Sequence, residues 1–226
     1  MKTKYFTLIF IFFTFYIFGQ LKLGIELIGA DAYIKISNNS KEDYVLPIDK
    51  YHFRPYELEC DAFFDYEDEF PAFGLMVNVL SPDGNKEDYV VGYNRKPKFD
   101  SLVRVMDLKR NNLKEKILDW SKKNNIKDHN LAFINYNIIN NLVYLKSGEE
   151  LIFKIKLDLN NITNQELIFY NYILEHSKKY KLYLTLCNFK EINKYLTSAQ
   201  KSRLKDYNFF TNKLDSNIVE LKFHSN

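Results

Sequence analysis

Apolar and polar residues alternate with a period of two in several stretches of the chain. The longest alternation lies at the end of the segment 144–159, "YLKSGEELIFKIKLDL". Its apolar positions are Leu151, Phe153, Ile155, Leu157 and Leu159. Only Ile152 breaks the pattern, because it is apolar at a position where a polar residue is expected. Shorter alternations lie at 32–36, 182–186 and 219–223. A period of two predicts antiparallel strands with one buried and one solvated face. We therefore interpret the segment 144–159 as scaffold and not as the edge of a binding site.

Two clusters of turn-forming residues lie beside these strands. Gly148, within residues 146–149, can adopt the positive φ of a turn that leads into the strand after it. Residues 81–85, Ser-Pro-Asp-Gly-Asn, separate two β-rich runs, and Pro82 and Gly84 favour a tight turn there. The sequence therefore predicts a β-hairpin over residues 74–94.

The same turn has part of the spacing of a calcium-binding loop. Asp83, Asn85 and Glu87 stand at the positions of its first three ligands. However, Asp88 replaces the glycine that such a loop requires, and Asn94 replaces its bidentate glutamate. The pattern therefore favours a plain hairpin turn.

Three segments depart from the alternation and predict helices, near 107–125, 164–177 and 198–206. The first repeats apolar residues at helical spacing, and the other two follow capping-box patterns, Thr163-x-x-Glu166 and Thr197-x-x-Gln200. No internal repeat and no linker rich in Pro, Gly or Ser divides the chain. We therefore expect residues 20–226 to form one domain, with the helices as insertions.

Residues 1–19 have the outline of a secretory signal peptide. Lys2 and Lys4 precede an uncharged apolar run at residues 5–18. This run is shorter than the roughly 20 residues that a membrane-spanning helix needs, so a retained anchor is the weaker interpretation. We expect cleavage near Gly19 and export to the periplasm or the cell exterior, with no stable membrane span afterwards.

The overall charge argues against nucleic acid as a partner. Loss of Lys2 and Lys4 with the leader would lower the formal net charge from +3 to +1. Nucleic-acid-binding domains carry a clearly basic surface that attracts the phosphate backbone. A protein or saccharide partner stays open, and the sequence does not indicate an oligomeric state.

Charges are nevertheless segregated along the chain. The acidic segment, residues 57–69, has seven carboxylates and no base, and the basic segment, residues 95–123, has ten Lys or Arg against four acids. Three interpretations are open: two solvated surfaces, mutual attraction within the fold or across a dimer, and a site for a cation or a cationic partner on the acidic segment. The acids at 61–69 are also the candidates for an alternative function as a hydrolase.

The sequence contains no recognisable catalytic motif. Its histidines, His52, His129, His176 and His224, are far apart and have no metal-binding spacing. There is no G-x-S-x-G nucleophile motif, and the seven glycines form no phosphate-binding loop. We therefore assign no catalytic, cofactor-binding or metal-binding residue and expect no cofactor.

Cys60 and Cys187 are the only cysteines of the chain. In an oxidising compartment they could form one disulfide, and two buried free thiols are the alternative. The absence of C-x-x-C pairs argues against a zinc site.

Two further patterns concern saccharides. Aromatic residues make up 16% of the chain, but only Trp120 is a tryptophan, so core packing explains them better than a sugar-binding face. Asn38-Asn39-Ser40 and Asn161-Ile162-Thr163 match the acceptor motif for N-glycosylation. Either match can arise by chance.

Four segments share the order of strands and turns of a known class: AYIKISNNSKEDYVLPI, VYLKSGEELIFKIKL, KKYKLYLTL and KLDSNIVELKF. Together they resemble immunoglobulin-like β-sandwich domains of secreted proteins from Bacteroidota-type bacteria. The resemblance implies a mainly β fold, an immunoglobulin-like antiparallel β-sandwich with helical insertions. It does not extend to the antibody-type disulfide, because the alternation puts Cys187 on the face opposite Leu182, Leu184 and Leu186.

The export signal, the half-buried strands and the lack of catalytic motifs predict an exported binding or interaction module without enzymatic activity. The resemblance itself implies no particular activity. The alternatives are an exported hydrolase that uses acids of residues 61–69 and a protease-inhibitor-like sandwich that acts through a loop.

Overall fold

The structure is a computed structural model in which residues 21–56, 73–93, 99–164, 168–175, 177–188 and 191–222 are described. Strands hold 37% of these residues and helices 27%, so the protein is mainly β, as predicted. The strands are β1 (Leu21–Ile28), β2 (Asp31–Asn38), β3 (Tyr44–Pro47), β4 (Phe53–Pro55), β5 (Leu75–Leu80), β6 (Tyr89–Tyr93), β7 (Leu142–Leu145), β8 (Glu150–Lys156), β9 (Ile168–Tyr172), β10 (Lys181–Cys187), β11 (Asn208–Phe209), β12 (Lys213–Asp215) and β13 (Val219–Glu220). The helices are α1 (Phe99–Asn124), α2 (His129–Asn140) and α3 (Ser198–Arg203), with a 3₁₀ helix at Ile192–Tyr195.

The first sheet has the strand order β1-β2-β8 with antiparallel pairing. The alternation predicts its buried face correctly, because Ala32, Ile34 and Ile36 are completely buried. Ile152, the one exception in the pattern of β8, is 63% exposed on the outer face. This sheet therefore has one apolar and one solvated face.

The second sheet has the order β12-β10-β5-β4, and β13 pairs with the other end of β10. Leu182, Leu184 and Leu186 are buried on one face of β10, as predicted. The expectation of a solvated opposite face is wrong, since Thr185 and Cys187 are only 1% and 3% exposed. A central strand can be covered on both faces, and alternation along one strand does not show whether the strand is central.

Both sheets bury their apolar faces in one hydrophobic core, and Asn217 joins their edges. Its Oδ1 accepts a hydrogen bond from the Ile25 N–H at 2.8 Å, and its Nδ2 donates to the Ile25 carbonyl at 3.0 Å. The side-chain amide thus pairs with β1 as a neighbouring strand would. This contact satisfies backbone groups of an edge strand and holds the two sheets together.

The predicted hairpin is confirmed only at its turn. Gly84 has φ +81°, and an antiparallel bridge joins Leu80 to Lys86. Beyond that bridge, β6 leaves β5 and pairs with β9 instead. The reason is that β10 and β4 already occupy both edges of β5.

The prediction of a helix at 164–177 is wrong for the described part of that segment. Residues 168–172 form β9, which pairs with β6 along its whole length. Asn164 adopts φ +54°, which is incompatible with a helix that starts at Thr163, and Tyr170 and Tyr172 bury their rings in the core. Tertiary pairing and aromatic burial therefore override the local capping pattern.

Two predicted helices are confirmed, with different bounds. α1 covers the segment near 107–125 but begins at Phe99, and it ends at a left-handed Asn125 with φ +54°. α3 begins at Thr197 with the predicted capping box to Gln200. α2, which the pattern did not predict, starts where the Asp128 carboxylate accepts from the Leu131 N–H at 2.7 Å. No helix in the described ranges combines the length and apolar character of a membrane span.

The turn at residues 146–149 joins two sheets. β7 pairs with β3 in the sheet β11-β3-β7, whereas β8 pairs with β2. Gly148 has φ +77°, as predicted, and its N–H donates to the Asn38 carbonyl at 2.9 Å. The completely buried side chain of Asn38 donates to the carbonyls of Glu42 at 2.7 Å and Leu145 at 3.0 Å. Asn38 therefore fixes the corner between the sheets.

Cys187 is buried at the end of β10 and is disulfide-bonded. The only other cysteine of the sequence, Cys60, lies outside the described residues, as do residues 1–19 and the acidic segment 57–69. The bonded state of Cys187 favours the disulfide over a pair of free thiols.

The loop before β4 contains a pH-sensitive pair. The Asp49 carboxylate accepts from the Tyr51 N–H at 2.8 Å, and its Oδ2 lies 2.9 Å from Nδ1 of His52. This hydrogen bond raises the pKa of His52 above its ordinary value, although partial burial opposes it.

We expect the pair to stabilise the fold at acidic pH. The contribution is fully present below the unfolded pKa of about 6.5 and is lost as the pH rises through the raised folded pKa of His52. It amounts to at most about 1 kcal/mol, because the imidazole is half exposed and water screens the pair. NMR titration should show a lower pKa of His52 in an Asp49→Asn variant, and an unchanged pKa would contradict this assignment.

Candidate functional site

A cleft opens beside the main core, between the ends of β1 and β8, the end of β9 and the end of β13. We call it the leucine cleft, because its apolar lining consists of Leu27, Leu157, Leu159, Leu174 and Leu221. Its volume is about 410 Å³. All five leucines are partly buried and pack against the hydrophobic core. The cleft is therefore a continuation of the core that reaches solvent.

Local backbone contacts place the leucines there. β8 ends at Lys156, and the Leu157 N–H donates to the Ala30 carbonyl at 2.8 Å. The chain then leaves β2, since the Leu159 carbonyl accepts from the Tyr172 N–H at 2.8 Å. The segment 157–159 thus crosses from one pair of strands to another, and its apolar residues cannot close completely over the core.

Leu221 reaches the cleft from the opposite side. Its N–H donates to the Tyr180 carbonyl at 3.0 Å, next to the pairing of β13 with β10. Leu27 lies near the end of β1, beside the Gly29 turn, where φ is +63°. The lining therefore comes from the ends of strands that are far apart in the sequence.

Polar and charged side chains share the lining with the leucines. Asp158, Glu220 and Lys222 contribute charges, and the Asp158 carboxylate also accepts from the Asn160 N–H at 2.9 Å. The Tyr172 hydroxyl donates to the Val77 carbonyl at 2.8 Å, and burial raises the pKa of Tyr172 above its usual range. This hydroxyl stays protonated at neutral pH and serves the fold, so it is not a general base.

The lining combines apolar side chains with ionisable ones. Its ionisable side chains are Asp158, Tyr172, Glu220 and Lys222, and its described residues include no His, Cys, Ser or Thr. Over the described ranges, no cluster of three or more His, Cys, Asp or Glu side chains is arranged to hold a metal ion. A concave site that brings apolar side chains together with polar groups is the common form of a small-molecule site.

The residues singled out in the sequence lie elsewhere or outside the described residues. Asp83 and Asn85 belong to the hairpin turn, where the Ser81 N–H donates to the Asn85 carbonyl at 2.8 Å. The basic residues of α1 include exposed Arg104, Lys109, Lys114, Lys116 and Lys123. The acids at 61–69 lie outside the described residues, so their role as a cation or hydrolase site stays a prediction.

Sequence reasoning missed the leucine cleft. The interpretation of segment 144–159 as scaffold fits residues 150–156, but Leu157, Asp158 and Leu159 line the cleft. The available signal was that the alternation of leucines continues beyond the last residue that pairs with β2. Leu221 carried a comparable signal, because the alternation at 219–223 continues beyond the end of β13, whereas Leu27 and Leu174 carried none.

Comparisons with known proteins add no functional assignment. No protein-family model, no curated protein and no solved structure matches the sequence. The function must therefore be inferred from the residues and geometry of this chain.

Proposed function

We propose that the protein is an exported, non-enzymatic binding module whose leucine cleft takes the apolar part of a small amphipathic molecule. The observation that carries this proposal is the convergence of five leucines on a cleft of about 410 Å³ that continues the core. Ligand sites commonly have volumes of about 300–1,000 Å³.

The charged residues suggest how such a ligand is oriented. Asp158, Glu220 and Lys222 line the cleft together with the leucines, and Glu220 is exposed. An apolar chain or ring would lie against the leucines, where removal of apolar surface from water favours binding by about 25 cal/mol per Å². A polar head group would stay near the charged residues and water.

We expect a neutral apolar dye, N-phenyl-1-naphthylamine, to bind the native protein with increased fluorescence. A Leu157→Lys variant should bind it at least tenfold more weakly, because a charged ammonium would have to lose its hydration in the cleft. Ile152→Lys is the matched control, since it adds the same charge on the exposed outer face of β8, the strand that Leu157 directly follows. This control should bind the dye as the native protein does.

Thermal unfolding of both variants separates loss of the site from loss of the fold. If Leu157→Lys unfolds, Leu159→Lys gives the same test from a second lining position. Absence of dye binding to the native protein, or equal binding by native and both lining variants, would overturn the proposal.

Export is the second part of the proposal. Its support is the charged and apolar pattern of residues 1–19 together with the disulfide-bonded Cys187, since such bonds persist mainly in oxidising compartments. Intact mass of the protein from its native host should correspond to a chain that starts near Gln20 with both thiols oxidised. A full-length, reduced chain would contradict export.

We further propose that the two main sheets form an immunoglobulin-like β-sandwich. Support comes from the antiparallel sheet β1-β2-β8 and the strands β5, β10 and β12, which share one core. The helices would be insertions, as the sequence resemblance implies. An experimental structure in which these sheets do not face each other would contradict this assignment.

A further inference from the structure

A second groove shares no lining residue with the leucine cleft. We call it the α1–α3 groove. It is bounded by the end of α1, by β7 and by α3, and its volume is about 740 Å³. The groove is therefore large enough for a molecule of two or more rings.

A buried network of amides holds the groove in place. The completely buried Asn135 on α2 accepts from the Trp120 indole N–H at 2.8 Å and donates to Gln200 Oε1 at 2.7 Å. Gln200 Nε2 donates back to Asn135 at 3.0 Å, and Gln200 Oε1 also accepts from the Thr197 N–H at 2.8 Å. Trp120 and Gln200, which both line the groove, are thus preorganised by contacts behind them.

The charged side chains that line the groove are both cationic. Lys123 and Arg203 line it, and its described lining contains no Asp or Glu. Neither cation forms an ion pair within the described part of the chain, in contrast to Lys122, whose Nζ lies 3.9 Å from Asp119. Two unpaired cations beside one groove favour an anionic group, and the Arg guanidinium can hold a carboxylate with two hydrogen bonds.

The remaining lining offers a ring surface and neutral polar groups. Tyr144 points outward from β7 and is 49% exposed, and its ring is held edge-on against Tyr207 at 5.1 Å. Asn125 and Ser198 add an amide and a hydroxyl. An aromatic ring beside amides and hydroxyls suits a ligand that has both a flat apolar face and several hydroxyls.

We propose that the α1–α3 groove binds an acidic saccharide, with Lys123 and Arg203 at its carboxylate and Tyr144 against a sugar ring. A neutral saccharide would leave both cations without a partner. A small inorganic anion would make no contact with the Tyr144 ring or with the amide groups of the lining. The combination of the two features on one groove therefore points to a sugar acid.

The test compares tetragalacturonate with its methyl ester, which has the same rings but no charge, by titration calorimetry on the native protein. The acid should bind at least tenfold more tightly than the ester. The double variant Lys123→Gln/Arg203→Gln should lower affinity for the acid at least tenfold, and Tyr144→Ala should weaken acid and ester alike.

Lys122→Gln/Lys201→Gln is the matched control, because it removes the same charge from the same two helices at residues that do not line the groove. This control should retain native affinity. Equal loss in both double variants would mean general charge attraction and would overturn the proposal. Equal binding of acid and ester, no binding of either, or equally tight binding of inorganic phosphate would also overturn it.

Discussion

An Asn135→Ala variant is expected to lose about 3 kcal/mol or more of its free energy of unfolding, because each buried polar group left unpaired costs about 1–3 kcal/mol. The substitution removes the acceptor of the Trp120 N–H and the donor to the Tyr195 carbonyl, which lies 2.5 Å from Nδ2. It also removes both contacts to the Gln200 amide. The hydrogen-bond network that joins α1, α2 and α3 would lose the residue that connects its other members.

Urea unfolding followed by the fluorescence of Trp120, the only tryptophan, measures this loss directly. Thr197→Ala is the control, since it removes only the capping hydroxyl of α3 and should cost about 1 kcal/mol. Asn135→Asp should be at least as damaging as Asn135→Ala at neutral pH, because a carboxylate would face the Tyr195 carbonyl. A loss below about 1 kcal/mol for Asn135→Ala would show that the network does not contribute as a unit.

An Asn38→Ala variant should be destabilised by a similar amount, about 3 kcal/mol, for the same physical reason. Asn38 Oδ1 accepts from the Ser40 N–H at 3.0 Å and from its hydroxyl at 2.7 Å, while Nδ2 donates to the Glu42 and Leu145 carbonyls. All of these groups meet where β2, β7 and the turn at 146–149 come together. Alanine would leave the corner without its central hydrogen bonds.

The neighbouring Asn39 provides a matched control, because it is the same residue type at the next position of the chain but is exposed. Asn39→Ala should change the urea midpoint little, whereas Asn38→Ala should lower it strongly. Equal effects of the two substitutions would contradict the role of Asn38. The buried, fully bonded amide also means that the sequon Asn38-Asn39-Ser40 cannot accept a glycan once the chain has folded.

Local patterns predicted much of the fold where the interactions themselves are local. The alternation in β2 and β8 identified the buried faces, and the Thr197 capping pattern identified the start of α3. Gly84 and Gly148 marked turns, because a positive φ is a property of one residue and its neighbours. The same kind of reasoning failed at residues 168–172, where pairing with a distant strand determined the structure.

The two candidate sites could not be predicted from the sequence. Leu27, Leu159 and Leu221 belong to separate strand ends, and Lys123 and Arg203 belong to different helices. No pattern along the chain shows that these residues come together. Trp120 and Gln200 were noted individually, but their shared partner Asn135 lies on a helix that the pattern did not predict.

The sequence by itself determined the mainly β class, the side of several strands that faces the core, and the residues that begin helices and turns. Each of these follows from side-chain direction and backbone preference over a few residues. Only the tertiary structure decided that β6 pairs with β9, that β10 is covered on both faces, and where the leucine cleft and the α1–α3 groove lie. The reason is that backbone hydrogen bonds between strands are the same for every extended segment, so pairing depends on which distant surfaces can be buried together.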